Sequence, residues 1–117
     1  IPVPYLDKRG RILGKAKTQA WTRRLLNELT ACFGGATPVP APGVNVVEGD
    51  DGPVTLFEEG QTLVLAACTS RREFLEHRDR LETLAAEMAE DLDQEAVFVL
   101  ACPSDSFLVE IVERGES

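Results

Sequence analysis

Apolar and polar residues alternate in blocks along the second half of the chain. Residues 62–68 form a short, nearly unbroken apolar run that follows Gly60. A run of this length between turn signals is typical of a strand, and its apolar residues at odd and even positions predict burial on both faces. Residues 96–102 form a second such run. The turn residues at 103–106 predict a hairpin that brings residues 107–112 back against it.

The stretch between these two runs has the period of an amphipathic helix. Ser70 and Glu73 have the capping-box spacing, in which the serine hydroxyl accepts from the amide of residue 73 and the carboxylate reaches back. The helix is expected to end near Leu92, with its acidic residues largely in water. Its apolar stripe consists of Phe74, Leu81, Leu84, Ala85, Met88 and Leu92, and its acidic residues are Glu76, Asp79, Glu82, Glu87 and Glu90.

An earlier helix is predicted from residue 16 or 18 to Phe33. The glycine pair that follows it is typical of a helix C-terminus. Arg23 and Arg24 are expected beside its buried stripe. That stripe consists of Trp21, Leu25, Leu26, Leu29, Cys32 and Phe33.

Prolines at alternate positions mark two extended segments. Pro2 and Pro4 remove two amide donors from one edge of a first strand, which is therefore an edge or is paired on that side only past Pro4. The prolines at 38, 40 and 42 exclude a central strand and predict an extended surface arm. Residues 36–53 are thus expected to form an arm and a strong turn, with a short strand at 44–47. Residues 54–57 are expected to continue, with a break or bulge, into the strand at 62–68.

The resulting element order is β-α-β-β-α-β with an extra C-terminal hairpin strand. It predicts an α+β, ferredoxin-like fold in which two helices cover one face of an antiparallel sheet. At 117 residues the chain is expected to be a single domain, residues 1–117. The other sheet face also needs a cover, because the central strand is apolar on both sides. Homodimerisation through the sheet is the economical cover, and the proline-rich arm is the alternative.

Three short motifs resemble a family of small prokaryotic proteins. They are the opening from Val3 to Arg11, the FGGAT sequence at residues 33–37 and the QEAV sequence at residues 94–97. The chain is similar to small bacterial and archaeal proteins of unknown function that carry an FGG-[AL]-T helix exit and a late QEAV strand. The resemblance implies a ferredoxin-like α+β domain and supplies no activity. Members usually carry an aromatic-rich segment after the glycine pair, and residues 43–46 lack one here.

Charge is unevenly distributed along the chain, whose net charge is −8. Residues 1–35 carry seven basic groups against two acidic ones, whereas the remainder carries five against eighteen. This asymmetry indicates either internal complementarity or surfaces for a charged partner. No apolar run approaches the ~18 residues of a membrane helix, and no signal peptide is visible, so no membrane association is expected. Three cysteines without close spacing predict free thiols in a reducing cytoplasm.

Common catalytic and cofactor motifs are absent from the sequence, including the glycine-rich nucleotide loops and the hydrolase nucleophile elbow. No cofactor or metal is therefore expected. Zinc is bound by cysteine and histidine, and the chain has Cys32, Cys68, Cys102 and His77. None of these residues lies close to another in the sequence, as the ligand pairs of structural zinc sites do. Cys68 precedes a helix start beside Arg71, which favours a thiolate, although burial would oppose it.

Three functional hypotheses remain, and the balance is against an enzyme. The first is a module that acts by self-association or by binding a protein partner. The second is a dimeric α+β-barrel enzyme or binder of a small organic molecule. The third is an acidic inhibitor or antitoxin-like protein that mimics nucleic acid with its second helix. Sequence-specific RNA binding is disfavoured because the central strand has no aromatic residue.

Candidate site residues follow from these hypotheses. The catalytic candidates are His77, Tyr5, Cys68 and Arg71, and the candidates for ligand or partner binding are Arg9, Arg11, Arg23, Arg24 and Trp21.

Overall fold

The chain folds as an α+β protein with two helices and antiparallel strand pairs, which confirms the predicted class. The computed structural model describes residues 1–58, 60–101, 108–113 and 115. Its elements are β1 (Pro2–Val3), α1 (Lys15–Phe33), β2 (Thr37–Pro40), β3 (Gly43–Gly49), β4 (Gly52–Glu58), β5 (Thr62–Leu65), α2 (Arg71–Asp91), β6 (Ala96–Ala101) and β7 (Leu108–Glu113). Neither helix has the uninterrupted apolar length that a membrane span requires.

Both helices begin and end close to the predicted residues. Gly34 ends α1 in the left-handed region at φ 86°, and its N–H donates to the Thr30 carbonyl. The Ser70 hydroxyl accepts from the Glu73 amide at 3.1 Å, as the capping box predicts. The second hydrogen bond of the capping box differs from the prediction by one residue. The Glu73 carboxylate accepts from the amide and hydroxyl of Thr69 rather than from the Ser70 amide.

The sheet around β5 contains β1 and β2 on its two sides, both antiparallel to β5. β1 and β2 therefore run parallel to each other, joined by α1, with β5 inserted between them. Ile1 and Val64 exchange two hydrogen bonds of 2.9 Å between their main chains. Since hydrogen-bonding direction alternates along a strand, the backbone nitrogen of Pro2 faces away from β5.

The proline-rich segment is a strand, which corrects the predicted surface arm. Residues 37–40 pair with β5, and the Ala41 amide donates to the Gln61 carbonyl at 2.9 Å. By alternation Val39 also turns its amide toward β5, so Pro38 and Pro40 point away from it. Because both missing donors fall on the outer side, an edge strand accommodates them at no cost in hydrogen bonds.

A hairpin of two seven-residue strands replaces the predicted short strand at 44–47 and shortens the predicted strong turn. β3 and β4 pair from Gly43–Glu58 to Gly49–Gly52, with Asp50 and Asp51 at the tip. Gly52 has φ 114°, so a glycine supplies the left-handed residue of this turn. β3 and β4 pack against no other described helix or strand.

The core lies between the helices and one face of the sheet. Leu25, Met88 and Leu92 are fully buried, and Val97 and Val99 of β6 join them. β6 pairs with β7, and both strands contact α2. All residues of the stripe predicted for α2 are buried in the core, whereas Leu26, Cys32 and Phe33 of the stripe predicted for α1 are only half-buried.

Only one face of β5 is buried, contrary to the prediction for the central strand. Val64 is 1% exposed, whereas its neighbour Leu65 is 46% exposed. β5 also ends at Leu65 rather than at residue 68, because its partner β2 has only four residues. The uncovered surface, called the open face below, carries residues that the strand register places side by side. These are Pro2, Thr37, Val39, Leu63 and Leu65.

Candidate partner-binding surfaces

The predicted catalytic residues lie at different places around β5. Tyr5 follows β1, and its ring lies against Gly60, just before β5. Cys68 and Arg71 follow the other end of β5, where α2 begins. Because β1 runs antiparallel to β5, Tyr5 and Cys68 are at opposite ends of the strand. Tyr5 and Cys68 therefore do not share one site.

His77 is half-buried on α2, at the edge of the helix-packing surface. Its ring meets Phe33 edge-on, with centroids 5.3 Å apart and an interplanar angle of 81°. This contact joins the end of α1 to the second turn of α2. Among the described residues, no group of three His, Cys, Asp or Glu side chains is arranged to hold a metal ion. Cys102 lies outside the described residues.

The two described cysteines are free thiols. Burial raises the pKa of the Cys32 thiol above its ordinary value, and the nearby Glu28 carboxylate acts in the same direction. A thiol with a raised pKa is mostly protonated near neutral pH, which makes it a poor nucleophile. Cys68 is half-buried and packs against the core, as a small apolar residue would.

Trp21 and Arg24, which are predicted as candidates for ligand or partner binding, join α1 to α2. Trp21 is only 6% exposed, and its indole N–H donates to Asp91 at 2.6 Å. The Arg24 guanidinium lies over the indole ring, 4.6 Å from its centroid, and also binds Glu87. The indole N–H and the guanidinium are therefore both bound within the molecule. A buried indole normally has such a partner for its N–H.

Replacement of Asp91 by asparagine is expected to remove a pH-dependent contribution to stability. The Trp21 hydrogen bond, together with Lys17 at 3.3 Å, lowers the pKa of the Asp91 carboxyl below its ordinary value. A lowered folded-state pKa stabilises the fold above the unfolded pKa, and this contribution is lost as the pH falls through the folded value. Asp91→Asn should therefore cost up to about 1 kcal/mol near neutral pH, because the pair is half exposed, and progressively less below about pH 4.

Urea unfolding followed by Trp21 fluorescence measures this difference across the pH range, since Trp21 is the only tryptophan. Asp79→Asn, on the exposed side of α2, controls for the general loss of one negative charge. A constant difference between Asp91→Asn and the parent at every pH would contradict the expectation.

Much of the charge asymmetry is satisfied inside the molecule. Lys17, Arg24 and Lys8, all from the basic N-terminal third, pair with carboxylates that lie after residue 86. Within α2, Arg72 pairs with Glu76 and Arg78 with Glu82. The acidic helix face is therefore partly neutralised by its own basic neighbours.

The turn before α1, together with Lys15 at the start of the helix, carries the remaining exposed basic residues of the N-terminal third, apart from Arg23. The Asp7 carboxylate organises this turn, because it accepts from the amides of Arg9 and Arg11 and from the Arg11 side chain. Ile12 beside them is 68% exposed. Arg9, Arg11, Ile12 and Lys15 are called the basic turn below. Within the described part of the chain, Arg9 and Lys15 form no ion pair.

Arg23 is exposed on α1, on the side opposite the buried stripe, rather than beside it as predicted. Its neighbour Arg24 occupies the predicted position, because one helical residue corresponds to a rotation of about 100°. Arg23 also forms no ion pair with a described carboxylate. The sequence predicts association through an uncovered sheet face without identifying the residues that form it. It does not single out the β3–β4 hairpin as a binding surface, although the valines at 44, 46 and 54 signal an apolar hairpin.

No family model matches the chain, and no curated protein or solved structure is significantly similar to it. The likeness to the small prokaryotic family in three short motifs therefore stays a prediction, and the arguments about function depend on the surfaces described above.

Proposed function

We propose that this protein is a self-associating α+β module in which a second copy of the chain packs on the open face. The observation that carries the proposal is the contrast across β5, where Val64 is buried and Leu65 is 46% exposed. Val39 and Leu63 lie side by side next to Leu65. Contiguous apolar residues on a sheet favour association, because burial removes their area from water.

A second copy is the occupant favoured by the geometry of the rest of the chain. The proline-rich segment lies in the plane of the sheet as β2, so it does not cover the open face. The β3–β4 hairpin contacts no other described element and does not cover it either. Two-fold association places the same apolar residues against each other and needs no second polypeptide.

We further infer that β6 lies beside β1 and completes the ferredoxin-like order. β6 approaches β1, and the chain just before β6 is tied to the chain just after β1. The Gln94 side chain donates to the Leu6 carbonyl at 2.7 Å, and the Lys8 amide donates to the Asp93 carbonyl at 2.8 Å. Nuclear Overhauser effects between backbone protons of β1 and β6 are expected, and their absence would remove the inference.

The enzyme and nucleic-acid-mimic hypotheses receive less support. Tyr5 and Cys68 lie at opposite ends of β5, and Trp21 is buried with its N–H bound to Asp91. On α2, Glu76, Glu82 and Glu87 are engaged by arginines. A protein that mimics nucleic acid needs its negative charges available to a basic partner.

Replacement of Leu65 by lysine is expected to abolish self-association. The parent protein should sediment at about twice its chain mass of 12.8 kDa at micromolar concentrations, and Leu65→Lys at the chain mass. The physical reason is that a charge in an apolar interface must be desolvated without a partner. Sedimentation velocity over a hundredfold range of concentration measures the effect.

Leu75→Lys is the matched control, because Leu75 on α2 is 45% exposed, close to the 46% of Leu65. It should leave the dimer intact. A parent protein that stays at the chain mass throughout, or a dimer that both variants disrupt equally, would overturn the proposal. Co-purification of a different polypeptide that Leu65→Lys releases would replace the second copy by a protein partner.

A further inference from the structure

The β3–β4 hairpin exposes apolar side chains on both of its faces. Val44 and Val46 share one face and are 57% and 68% exposed, and Val54, at 44%, lies on the other. The hairpin packs against no other described helix or strand. Since a two-stranded hairpin is only marginally stable in water by itself, its apolar faces favour packing against another molecule.

The hairpin is also acidic. Residues 43–58 contain four carboxylates and no basic residue. Asp50 and Asp51 are exposed at its tip and form no ion pair with a basic residue in the described ranges. The basic turn has the complementary character, with exposed Ile12 between Arg9 and Lys15.

Both surfaces extend from the same end of the sheet. Val3 of β1 and Pro40 of β2 both lie opposite Thr62, at the start of β5. The basic turn follows β1 and the hairpin follows β2, so their bases are separated by about two strand spacings, or about 10 Å. No described ion pair joins them within one molecule, and each therefore remains open to another copy.

We propose that the β3–β4 hairpin of one copy docks on the basic turn of a second copy, and the reverse. The hairpin valines would meet Ile12, while Asp50 and Asp51 would meet Arg9 and Lys15. Each chain carries both surfaces, so a two-fold pair makes the contact twice. This inference rests on the self-association proposed above. It adds a contact between opposite charges, which makes the association sensitive to salt.

A charge exchange between two variants tests the docking. In Asp50→Lys/Asp51→Lys both surfaces are basic, and in Arg9→Glu/Lys15→Glu both are acidic. Each variant alone should dimerise roughly 10- to 100-fold more weakly than the parent at low salt, because like charges meet twice. An equimolar mixture should recover the parental affinity, since both contacts again join opposite charges.

The control Arg71→Glu/Arg72→Glu makes the same change in net charge as Arg9→Glu/Lys15→Glu, at exposed positions in the first turn of α2 and outside the basic turn. It should dimerise like the parent. Circular dichroism and urea unfolding of each variant verify the fold, and analytical ultracentrifugation at ~20 mM and ~500 mM salt measures association. High salt should weaken dimerisation of the parent protein and reduce the differences in dimer affinity between the variants.

Three outcomes overturn the inference, and they are distinguishable. Dimerisation of both charge variants with parental affinity would leave self-association in place and remove the hairpin contact. Recovery in one chain carrying all four substitutions, without recovery in the mixture, would assign the contact to the inside of one molecule. A parent protein that is monomeric at every concentration would remove both this inference and the proposed function.

Discussion

Leu25→Ala is expected to lower the free energy of unfolding by about 2–5 kcal/mol, the range for removing a leucine side chain from a close-packed core. Leu25 has no exposed surface and lies in the middle of the buried stripe of α1, between Trp21 and Leu29. The helix spans 19 residues and packs against α2, β1, β2 and β5, so it cannot move fully into the space left behind.

Thermal and urea unfolding of the purified protein measure this loss. Leu75→Ala makes the same chemical change on α2 at a residue that is 45% exposed, and should stay within about 0.5 kcal/mol of the parent. If the two variants lose similar stability, the packing of α1 against the sheet and α2 is not as described.

Gly60→Ala is expected to cost about 1–3 kcal/mol, the usual penalty for added volume at a tight contact. A Cβ at this position would lie 2.7 Å from Cε2 of Tyr5 and closer still to Cδ2. These ring atoms are near the root of the side chain, so the whole ring must swing away. Gly60 is therefore needed because the Tyr5 ring approaches it closely.

A double-mutant cycle with Tyr5→Ala separates this clash from a general preference for glycine. The cost of Gly60→Ala should largely disappear in the Tyr5→Ala background, since no ring remains to be displaced. Additive losses in the cycle would show that the backbone at Gly60, rather than the Tyr5 ring, limits the substitution.

The helices could be predicted from sequence because their signals are local. The cap at Ser70, the glycine after Phe33 and the periodic apolar stripes all lie within one or two turns of the feature they specify. The contact between Trp21 and Asp91 joins residues 70 positions apart, and no sequence pattern near either residue predicts it.

The strands were harder to predict, because prolines indicate missing amide donors and apolar runs indicate burial, and neither shows which strands pair. Pro38 and Pro40 argue against a strand until the register shows that both face an outer edge. The run at 62–68 indicates apolar surroundings, but β5 ends where β2 offers no further partner. The sequence predicts that a second sheet face needs a cover, but it does not show which residues form that face, since Leu63 and Leu65 have the same composition signal as residues of a covered sheet.

The placement of Pro38 and Pro40 also restricts how these molecules can assemble in concentrated solution. An exposed strand edge normally offers a row of amide donors on which another chain can lay a strand, which is how cross-β fibrils grow. The outer edge of β2 lacks two of those donors, because Pro38 and Pro40 both face it. Another copy of the chain is thereby hindered from adding a strand to the sheet at the outer edge of β2, which is the step by which an open-ended fibril would grow from that edge.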